Sequence, residues 1–311
     1  MTSPRLTVIL PTHRPHADRL RRTLLGLRAQ TLPVSDWELL LVDNASAPPV
    51  ASVDFAASAP ANFQLVLEPR LGLSHARRRG FVEARADILV MVDDDNVLAP
   101  DYLSRVLSRF DAHPTVGALG GRSLPEFEAA PAPWMTPFFD LLAIRDLGTA
   151  DLVGGLRPPG AARDCYPVCA PIGAGMALRR EAARSWLDHA DPEAFSDRRG
   201  GELTSGGDND IVMHLLRAGW EVAYFPDLAL THIIPAGRLD TAYLARLNRG
   251  IQKSWLQLLL RHGLSDWPAI GSWSVPLRQI RAWFTHRAWS SQAARIRWQG
   301  ACGHFEGRVR R

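Results

Sequence analysis

In the first half of the chain, short apolar runs alternate with amphipathic stretches, and this alternation constrains the fold more than any other feature. The apolar runs predict strands at residues 6–10, 37–42, 63–67, 88–92 and 116–119. Between them, helical periodicity covers residues 18–30, 74–84 and 102–110. Strands that alternate with helices of this length are typical of an α/β fold with a mainly parallel, doubly wound sheet. Right-handed crossovers then bring the carboxyl ends of the strands to one edge, which forms the ligand crevice.

The second half of the chain contains an irregular segment, a return to order and a helical end. Prolines accumulate between residues 122 and 171 while the periodicity fades, and such a long irregular segment predicts a lid or a substrate-binding region. Helices are predicted at residues 180–189 and 208–218, and a strand at 222–225. We therefore expect an α/β domain that contains the ligand crevice over residues 1–235 and a helical extension, rich in Trp and Arg, over residues 236–311.

Three consecutive acids, Asp93, Asp94 and Asp95, directly follow the apolar run at residues 88–92. If that run is a buried strand, the carboxylates emerge together at its C-terminal end, where like charges repel unless a cation lies between them. A divalent metal such as Mn²⁺ or Mg²⁺ takes oxygen ligands and bridges to phosphate. The alternative is a solvated acidic turn that leads into the helix near Asp101, since Asp and Asn are common at such ends.

Composition excludes several other functions. The chain has 311 residues, a formal net charge of +4 and a single lysine, Lys253, which Gln252 precedes. A P-loop requires Gly-Lys-Ser or Gly-Lys-Thr, so the sequence disfavours a Walker-type nucleotide hydrolase. No Gly-x-Gly-x-x-Gly follows the first strand, which disfavours a dinucleotide-binding oxidoreductase. The arginines that carry the positive charge favour a substrate with phosphate or carboxylate groups.

The sequence also predicts where the protein resides. Its three cysteines are too few for a disulfide framework and fit a reducing compartment. Residues 6–10 are too short for the apolar region of a signal peptide, and no segment approaches the length needed to span a bilayer. We therefore expect a cytoplasmic protein without a nucleic acid partner, attached at most to the inner face of an anionic membrane.

Polar residues at other predicted strand and helix ends are candidates for the same crevice. Asp43 ends the second predicted strand and can accept hydrogen bonds from a base or a ribose, although Asp-Asn-Ala-Ser is also common turn chemistry. Arg77 lies four residues before the apolar Phe81 and is our choice for a diphosphate contact. His232 follows an apolar run, where a lone His is more often a hydrogen-bonded core residue than a ligand.

A candidate general base stands at the start of the helix predicted at residues 208–218. Asp208 lies three and four residues before Ile211 and Val212, so we expect it on their inward face, whereas Asp210 points elsewhere. A carboxylate at a helix N-terminus is stabilised by the helix dipole and can serve as a general base. A plain helix cap is the alternative role for Asp208.

Taken together and in order, these segments resemble family 2 of the inverting glycosyltransferases, which have the A-type nucleotide-sugar-binding fold. The matching stretches lie within residues 5–235 and are residues 8–12, 42–46, 72–80, 92–102, 173–180 and 207–226, with His232. An ordered set of this kind is far more specific than any one motif. The resemblance implies metal-dependent, inverting transfer of a sugar from a nucleotide sugar, most commonly UDP-linked. The implied acceptor is a hydroxyl of a glycan or lipid-linked molecule in cell-surface polysaccharide synthesis.

The resemblance also implies roles for individual residues. The residues implied to bind the nucleotide sugar are Pro11, Thr12, Arg14, Asp43, Arg77, Asp93, Asp94, Gly173 and Gly175. Among them, Asp43 would read the base and the two glycines would border the sugar. The implied metal ligands are Asp93, Asp95 and His232, with Asp93 contacting either the metal or the ribose. Asp208 matches the family's general base.

One departure from the family pattern affects the acceptor side. The family usually has Glu-Asp where this chain has Gly207 and Asp208. Either Asp208 alone acts as the base, or Asp210 shares the role. The missing carboxylate also keeps open a second class of function, a catalytically silent nucleotide- or glycan-binding protein of the same fold.

In the C-terminal extension, apolar and basic residues recur at helical spacing. The apolar positions are Trp273, Leu277, Ile280 and Phe284, and the basic ones are Arg278, Arg281 and Arg287. A terminal helical subdomain packed on the core explains this pattern. The alternative is a basic amphipathic face that lies on an anionic membrane, where lipid-linked substrates are found.

Overall fold

The structure, a computed structural model, describes residues 3–50, 55, 57–191 and 206–310. The strands within these ranges are β1 Leu6–Thr12, β2 Trp37–Asn44, β3 Phe63–Glu68, β4 Ile88–Met91, β5 Asn96–Leu98, β6 Val116–Phe127, β7 Leu152–Gly154, β8 Ala177–Arg179 and β9 Glu221–Ile234. The α-helices are α1 Ala17–Arg28, α2 Leu73–Glu83, α3 Tyr102–Ala112, α4 Arg180–His189, α5 Gly207–Arg217, α6 Thr241–Arg261, α7 Val275–Thr285 and α8 Gln292–Gly307.

The strands form a mixed sheet in the order β3-β2-β1-β4-β8-β6-β9-β5, with β7 paired to β9. The first four strands are parallel to one another. Strand β8 lies antiparallel between β4 and β6, and β6 pairs in parallel with β9. The predicted α/β fold class is therefore confirmed. The reversal at β8 was not predicted, because a strand of three residues is too short to show a period.

Helices cover both faces of the sheet, and the side chains of β1 show how. Leu6, Val8 and Leu10 pack into the core cluster that includes α1 and α3, whereas Ile9 packs with α2, α4 and α5 on the opposite face. Burial on both faces explains the uninterrupted apolar runs of the central strands. The carboxyl ends of β1, β2 and β4 lie side by side in the sheet, and the polar candidates follow at this edge.

Two strands are much longer than the sequence predicts. Strand β6 continues to Phe127 and β9 to Ile234, rather than ending near residues 119 and 225. Pro125 and Pro226 interrupt the apolar pattern in these strands, and a register shift after Gly120 marks an irregularity in their pairing. The prediction of an irregular segment from residue 122 was therefore wrong for its first six residues.

The C-terminal helices pack on one another and on the rest of the molecule. Leu244 and Leu247 of α6 share a core cluster with Ile296 of α8 and with Phe138, which lies in a 3₁₀ helix at Pro133–Leu142. Farther along α6, Leu258 belongs to the cluster beneath α4 and α5. The extension thus shares a core with the sheet, and a domain boundary at residue 235 stays a prediction. Among the described residues, no helix is both long and apolar enough to cross a bilayer.

Candidate functional site

The acids after β4 lie beside the end of β9 because of how β5 pairs. Strand β5 starts directly after Asp95 and runs antiparallel to β9, with Asn96 opposite His232. As a result, Asp95 Oδ1 lies 3.4 Å from His232 Nε2. The pairing of two strands far apart in the sequence therefore brings together a carboxylate and an imidazole that are both implied metal ligands.

This pair fits a divalent ion in chemistry and in spacing. A carboxylate oxygen and an imidazole nitrogen are both common metal ligands. Neighbouring ligands of an octahedral ion with bonds near 2.1 Å stand about 3 Å apart, which is close to the 3.4 Å between Asp95 and His232. Arg238 Nη2 donates a hydrogen bond to Asp95 Oδ2 at 2.9 Å, and Arg238 Nη1 lies 3.1 Å from His232 Nε2. A bound ion would therefore compete with this guanidinium for both side chains.

The other two acids of the run have different partners. Asp94 accepts a hydrogen bond from the Thr12 hydroxyl at the end of β1. Burial, together with the charges of Asp95 and Asp93, raises the pKa of Asp94 to about 7. Asp93 is a third exposed, and its Oδ1 lies 3.8 Å from Arg77 Nη2. Asp93 therefore faces Arg77, whereas Asp95 faces His232.

Asp43 organises the loop that follows β2. It is buried, and its two oxygens accept hydrogen bonds from the backbone N–H groups of Ser46 and Val50, each at 3.1 Å. The backbone N–H of Arg14, which has a φ of 48°, donates to Ser46 Oγ at 2.8 Å. These bonds join the loops after β1 and β2 at the predicted nucleotide edge. Pro11 lies buried in β1 next to this loop.

Sequence reasoning missed Asn44, which fixes the entry to α2. Its side-chain amide donates hydrogen bonds to the carbonyl oxygens of Glu68 and Arg70, at 3.2 and 2.6 Å. Its Oδ1 accepts from the backbone N–H of Gly72 at 2.8 Å. Asn44 thereby holds the segment between β3 and α2 against the end of β2. Its position directly after Asp43, at a strand end, was the available signal.

Arg77 lies between the acids of β4 and the start of α5. Its side chain is buried and faces Asp93 on one side and Gly173 on the other. A Cβ added at Gly173 would lie 2.6 Å from Arg77 Nη2 and 3.4 Å from Asp208 Oδ2. The backbone N–H of Gly173 donates to Asp208 Oδ2 at 2.9 Å. The structure therefore joins Asp93, Arg77, Gly173 and Asp208 in one continuous set of contacts.

The loop around Gly173 is held by a further contact that the sequence did not suggest. The Tyr102 hydroxyl donates a hydrogen bond to the Gly175 carbonyl oxygen at 2.6 Å. Gly175 has a φ of 75°, and a Cβ there would lie 2.6 Å from the Tyr102 oxygen. Only glycine suits this backbone conformation and this close approach. Tyr102 thus fixes the loop that presents Gly173 to Asp208.

Asp208 and Asp210 lie in different surroundings. Asp208 is partly exposed, and its Oδ1 accepts from the backbone N–H of Asn209 at 2.9 Å. Asp210 is buried, and its Oδ2 accepts from the Trp186 indole N–H at 2.9 Å. The expectation that Asp208 lies on the inward face and Asp210 points elsewhere was therefore wrong. Helix α5 is enclosed on nearly all sides, so its apolar stripe does not identify the inward positions.

The chain is similar to proteins of one family. The model described as Glycosyl transferase family 2 matches residues 7–187. An N-acetylglucosaminyltransferase of Rhizobium meliloti (strain 1021) is 26% identical over 289 residues, covering 89% of this chain and 63% of that protein. Succinoglycan biosynthesis protein ExoW of the same strain is 32% identical over 115 residues, which is 35% of each chain. The chain thus spans less than two thirds of the length of these relatives.

A solved structure has a similar fold. S. aureus TarS 1-349 in complex with UDP superposes with a TM-score of 0.51 and 14% sequence identity. The similarity covers 96% of this chain and 89% of that chain. At this level of identity, the similarity establishes the fold alone.

Proposed function

Since the chain belongs to glycosyltransferase family 2, we propose that it transfers a sugar from a nucleoside diphosphate sugar to a hydroxyl of a glycan or lipid-linked acceptor in cell-surface polysaccharide synthesis. One observation carries this proposal. The acids after β4 and the candidate base Asp208 at the start of α5 are connected through Arg77 and Gly173. A donor and an acceptor that react by displacement have to lie next to each other. These contacts support the proposal because they connect the acids of the donor side with the candidate base of the acceptor side.

On the donor side, we assign residues to the nucleoside, the diphosphate and the metal according to their positions in the structure. Asp43 and the end of β1, with Pro11, Thr12 and Arg14, would bind the nucleoside, and Arg77 would contact the diphosphate. UDP is the proposed nucleotide, because UDP is bound in the TarS complex. Asp95 and His232 would hold Mn²⁺ or Mg²⁺, with Asp93 toward the ribose or the metal. A metal bound there would neutralise the charge that develops on the leaving diphosphate.

On the acceptor side, Asp208 would remove the proton from the attacking hydroxyl. Its two oxygens accept backbone hydrogen bonds from Gly173 and Asn209, which fix the carboxylate while leaving lone pairs available. Asp210 is bonded to Trp186 and buried, so we assign the base role to Asp208 alone. A single carboxylate base implies one in-line displacement, and hence inversion at the anomeric carbon.

The substitution Asp208→Asn tests this assignment. It keeps the size and the acceptor oxygen but removes the base, so turnover should fall by a factor of about 10² to 10⁴. Nucleotide affinity should change little, because Asp208 is assigned to the acceptor. The measurement is sugar transfer and UDP release across a panel of nucleotide sugars with Mn²⁺, alongside UDP binding by calorimetry.

Asp101→Asn is the matched control, since Asp101 pairs with Arg105 on α3 and faces no candidate group. Turnover by Asp208→Asn at the wild-type rate contradicts the base assignment. A wild-type protein that binds UDP but turns over no donor, with any acceptor offered, supports the silent binding protein instead.

We also propose that the protein is cytoplasmic and docks on an anionic membrane through α7 and its flanks. The exposed apolar face here comprises Trp273, Leu277, Ile280, Phe284 and Trp289, each more than half exposed. The exposed arginines around it are Arg278, Arg281, Arg287, Arg295 and Arg297. No acidic residue lies between Asp266 and Glu306. An apolar face on a segment whose formal charges are all basic complements an anionic lipid surface.

A further inference from the structure

Three side chains outside the candidate donor site converge between helix α5 and the C-terminal extension. They are Asp210 in the first turn of α5, His214 in its last turn, and His262, which directly follows α6. Asp210 and His214 are four residues apart, so they project from one face of α5. Within the described part of the chain, one ligand atom from each of the three lies within 4.8 Å of the other two.

The facing atoms have no hydrogen-bond partner among the described residues. Asp210 Oδ1 lies 3.8 Å from His214 Nε2 and 3.7 Å from His262 Nε2, which is too long for a hydrogen bond. All three atoms are buried. A buried carboxylate oxygen that faces two imidazole nitrogens without bonding to either is costly unless a further group satisfies all three.

The other oxygen of Asp210 already accepts a hydrogen bond. Asp210 Oδ2 accepts the hydrogen bond from the Trp186 indole at 2.9 Å, which leaves Oδ1 directed toward the histidines. The two imidazole rings are nearly perpendicular, with centroids 5.7 Å apart, so they do not stack face to face. A polar partner that holds the second carboxylate oxygen is the usual way in which a protein orients a metal ligand.

We propose that Asp210, His214 and His262 bind a Zn²⁺-type divalent ion, with a solvent molecule as fourth ligand, at a site separate from the nucleotide site. Two imidazole nitrogens and one carboxylate oxygen are a ligand set that zinc accepts. Ligands of a tetrahedral ion with bonds of about 2.0 to 2.1 Å stand about 3.3 Å apart. Contraction by a few tenths of an ångström brings the carboxylate to this distance from each imidazole.

The proposed site has a structural consequence. Helix α5 starts beside the candidate base Asp208, whereas His262 belongs to the C-terminal extension. An ion shared by Asp210, His214 and His262 therefore ties the helix of the base to the end of α6. The Arg217 side chain at the end of α5 already donates a hydrogen bond to the His262 carbonyl oxygen after α6. The proposed ion would therefore reinforce an existing contact between these two helices.

Cobalt titration of the tag-free, full-length protein tests the proposal independently of transferase activity. After treatment with a chelator, one equivalent of Co²⁺ should bind to the wild type with the intense visible absorption of a tetrahedral site, in addition to any Co²⁺ held at Asp95 and His232, and Zn²⁺ should displace the tetrahedral Co²⁺. Zn²⁺ should also raise the melting temperature, because a ligand of the folded state stabilises it by mass action. His214→Gln and His262→Gln should each weaken Co²⁺ binding at least tenfold.

Two controls separate this site from other histidines. His304→Gln removes an imidazole that packs on Trp267, and His232→Gln removes the imidazole of the proposed donor site. Both should retain the tetrahedral Co²⁺ spectrum. Asp210→Asn keeps an acceptor for the Trp186 indole but loses the charge, so it should fold and bind Co²⁺ at least tenfold more weakly. No tetrahedral spectrum in the wild type, or one that persists in Asp210→Asn and His262→Gln, overturns the proposal.

Discussion

At the scale of single residues, the three consecutive aspartates show that side chains adjacent in the sequence contact different residues. Asp93 faces Arg77, Asp94 accepts from Thr12, and Asp95 meets His232 and Arg238. The chain turns sharply between β4 and β5, so successive side chains leave it in different directions. The sequence therefore identifies the acidic run, but the individual roles depend on which element each side chain meets.

The middle aspartate should make the stability of the metal-free protein depend on pH. Burial raises the pKa of Asp94 from its ordinary value of 3.8 to about 7. Between these values the unfolded chain has released the proton while the folded protein retains it. The folded state then binds more protons, so the free energy of unfolding should fall as pH rises through this window.

Urea unfolding with a chelator present, from pH 4 to 7, measures this dependence. The variant Asp94→Asn cannot titrate at this position, so its free energy of unfolding should change less over the same range. Asp188→Asn, on the exterior side of α4, controls for the loss of one carboxylate. If wild type and Asp94→Asn show equal slopes, Asp94 is not protonated in the folded protein near neutral pH.

At the scale of elements, the contact between α6 and α8 depends on glycines. Gly300, Gly303 and Gly307 lie three and four residues apart on α8 and form one stripe. A Cβ would lie 2.0 Å from the Arg249 carbonyl oxygen at Gly303 and 2.6 Å from the Lys253 carbonyl oxygen at Gly307. These carbonyl groups belong to the α6 backbone, which cannot yield as a flexible side chain does. The two helices therefore pack with their backbones unusually close.

The substitution Gly303→Ala should separate α8 from α6. Alanine is the better helix former by about 1 kcal/mol, yet overpacking against backbone typically costs about 1 to 3 kcal/mol. We expect the steric term to dominate, with a net loss of roughly 1 to 2 kcal/mol in the free energy of unfolding. Urea denaturation followed by tryptophan fluorescence measures it, because most tryptophans lie in this half of the chain.

Gly237→Ala is the control, since a Cβ there would meet nothing within 4 Å and its φ is not positive. A Gly303→Ala variant as stable as Gly237→Ala would show that the α6–α8 interface accepts a methyl group by a small shift of the helices.

At the scale of the whole molecule, charge is distributed unevenly around a modest net value of +4. The acids that face the proposed metal and donor lie at the sheet edge, whereas residues 267–305 contain basic residues without any Asp or Glu. A cavity of about 810 Å³ beside Trp283 and Trp289 is lined by three arginines and one acid, namely Arg246, Arg249, Arg295 and Asp240. This basic segment without acids supports the proposal that α7 and its flanks face an anionic lipid surface.

Sedimentation with liposomes tests the membrane proposal. The protein should pellet with vesicles that contain phosphatidylglycerol and remain in the supernatant with pure phosphatidylcholine. Binding should weaken as salt rises, because the Debye length shortens to about 3 Å at 1 M. The double variant Ile280→Ser, Phe284→Ser should lose binding, whereas Val82→Ser, which removes an exposed apolar side chain on α2, should not. Equal pelleting with neutral and anionic vesicles, or none with either, contradicts the proposal.

The fold class and most elements of the parallel part of the sheet follow from the amino-acid sequence alone, and so do the segments that meet at the carboxyl edge of the sheet. These features can be predicted because the apolar periodicity that specifies a strand or a helix is contained in a segment of about ten residues. Resemblance to the family added the set of candidate residues in order. The sequence analysis did not predict β8 or the C-terminal parts of β6 and β9. It also predicted the orientations of Asp208 and Asp210 wrongly.

Which of these residues contact one another depends on the tertiary structure. Arg238 joins Asp95 and His232 because a segment beyond β9 returns to the acidic turn. Arg77 lies beside Gly173 because α2 and the loop before β8, which are distant in sequence, pack close together. His262 approaches Asp210 and His214 because α6 crosses back toward α5. Such contacts depend on long-range packing geometry, and the spacing of residues along the chain does not record it.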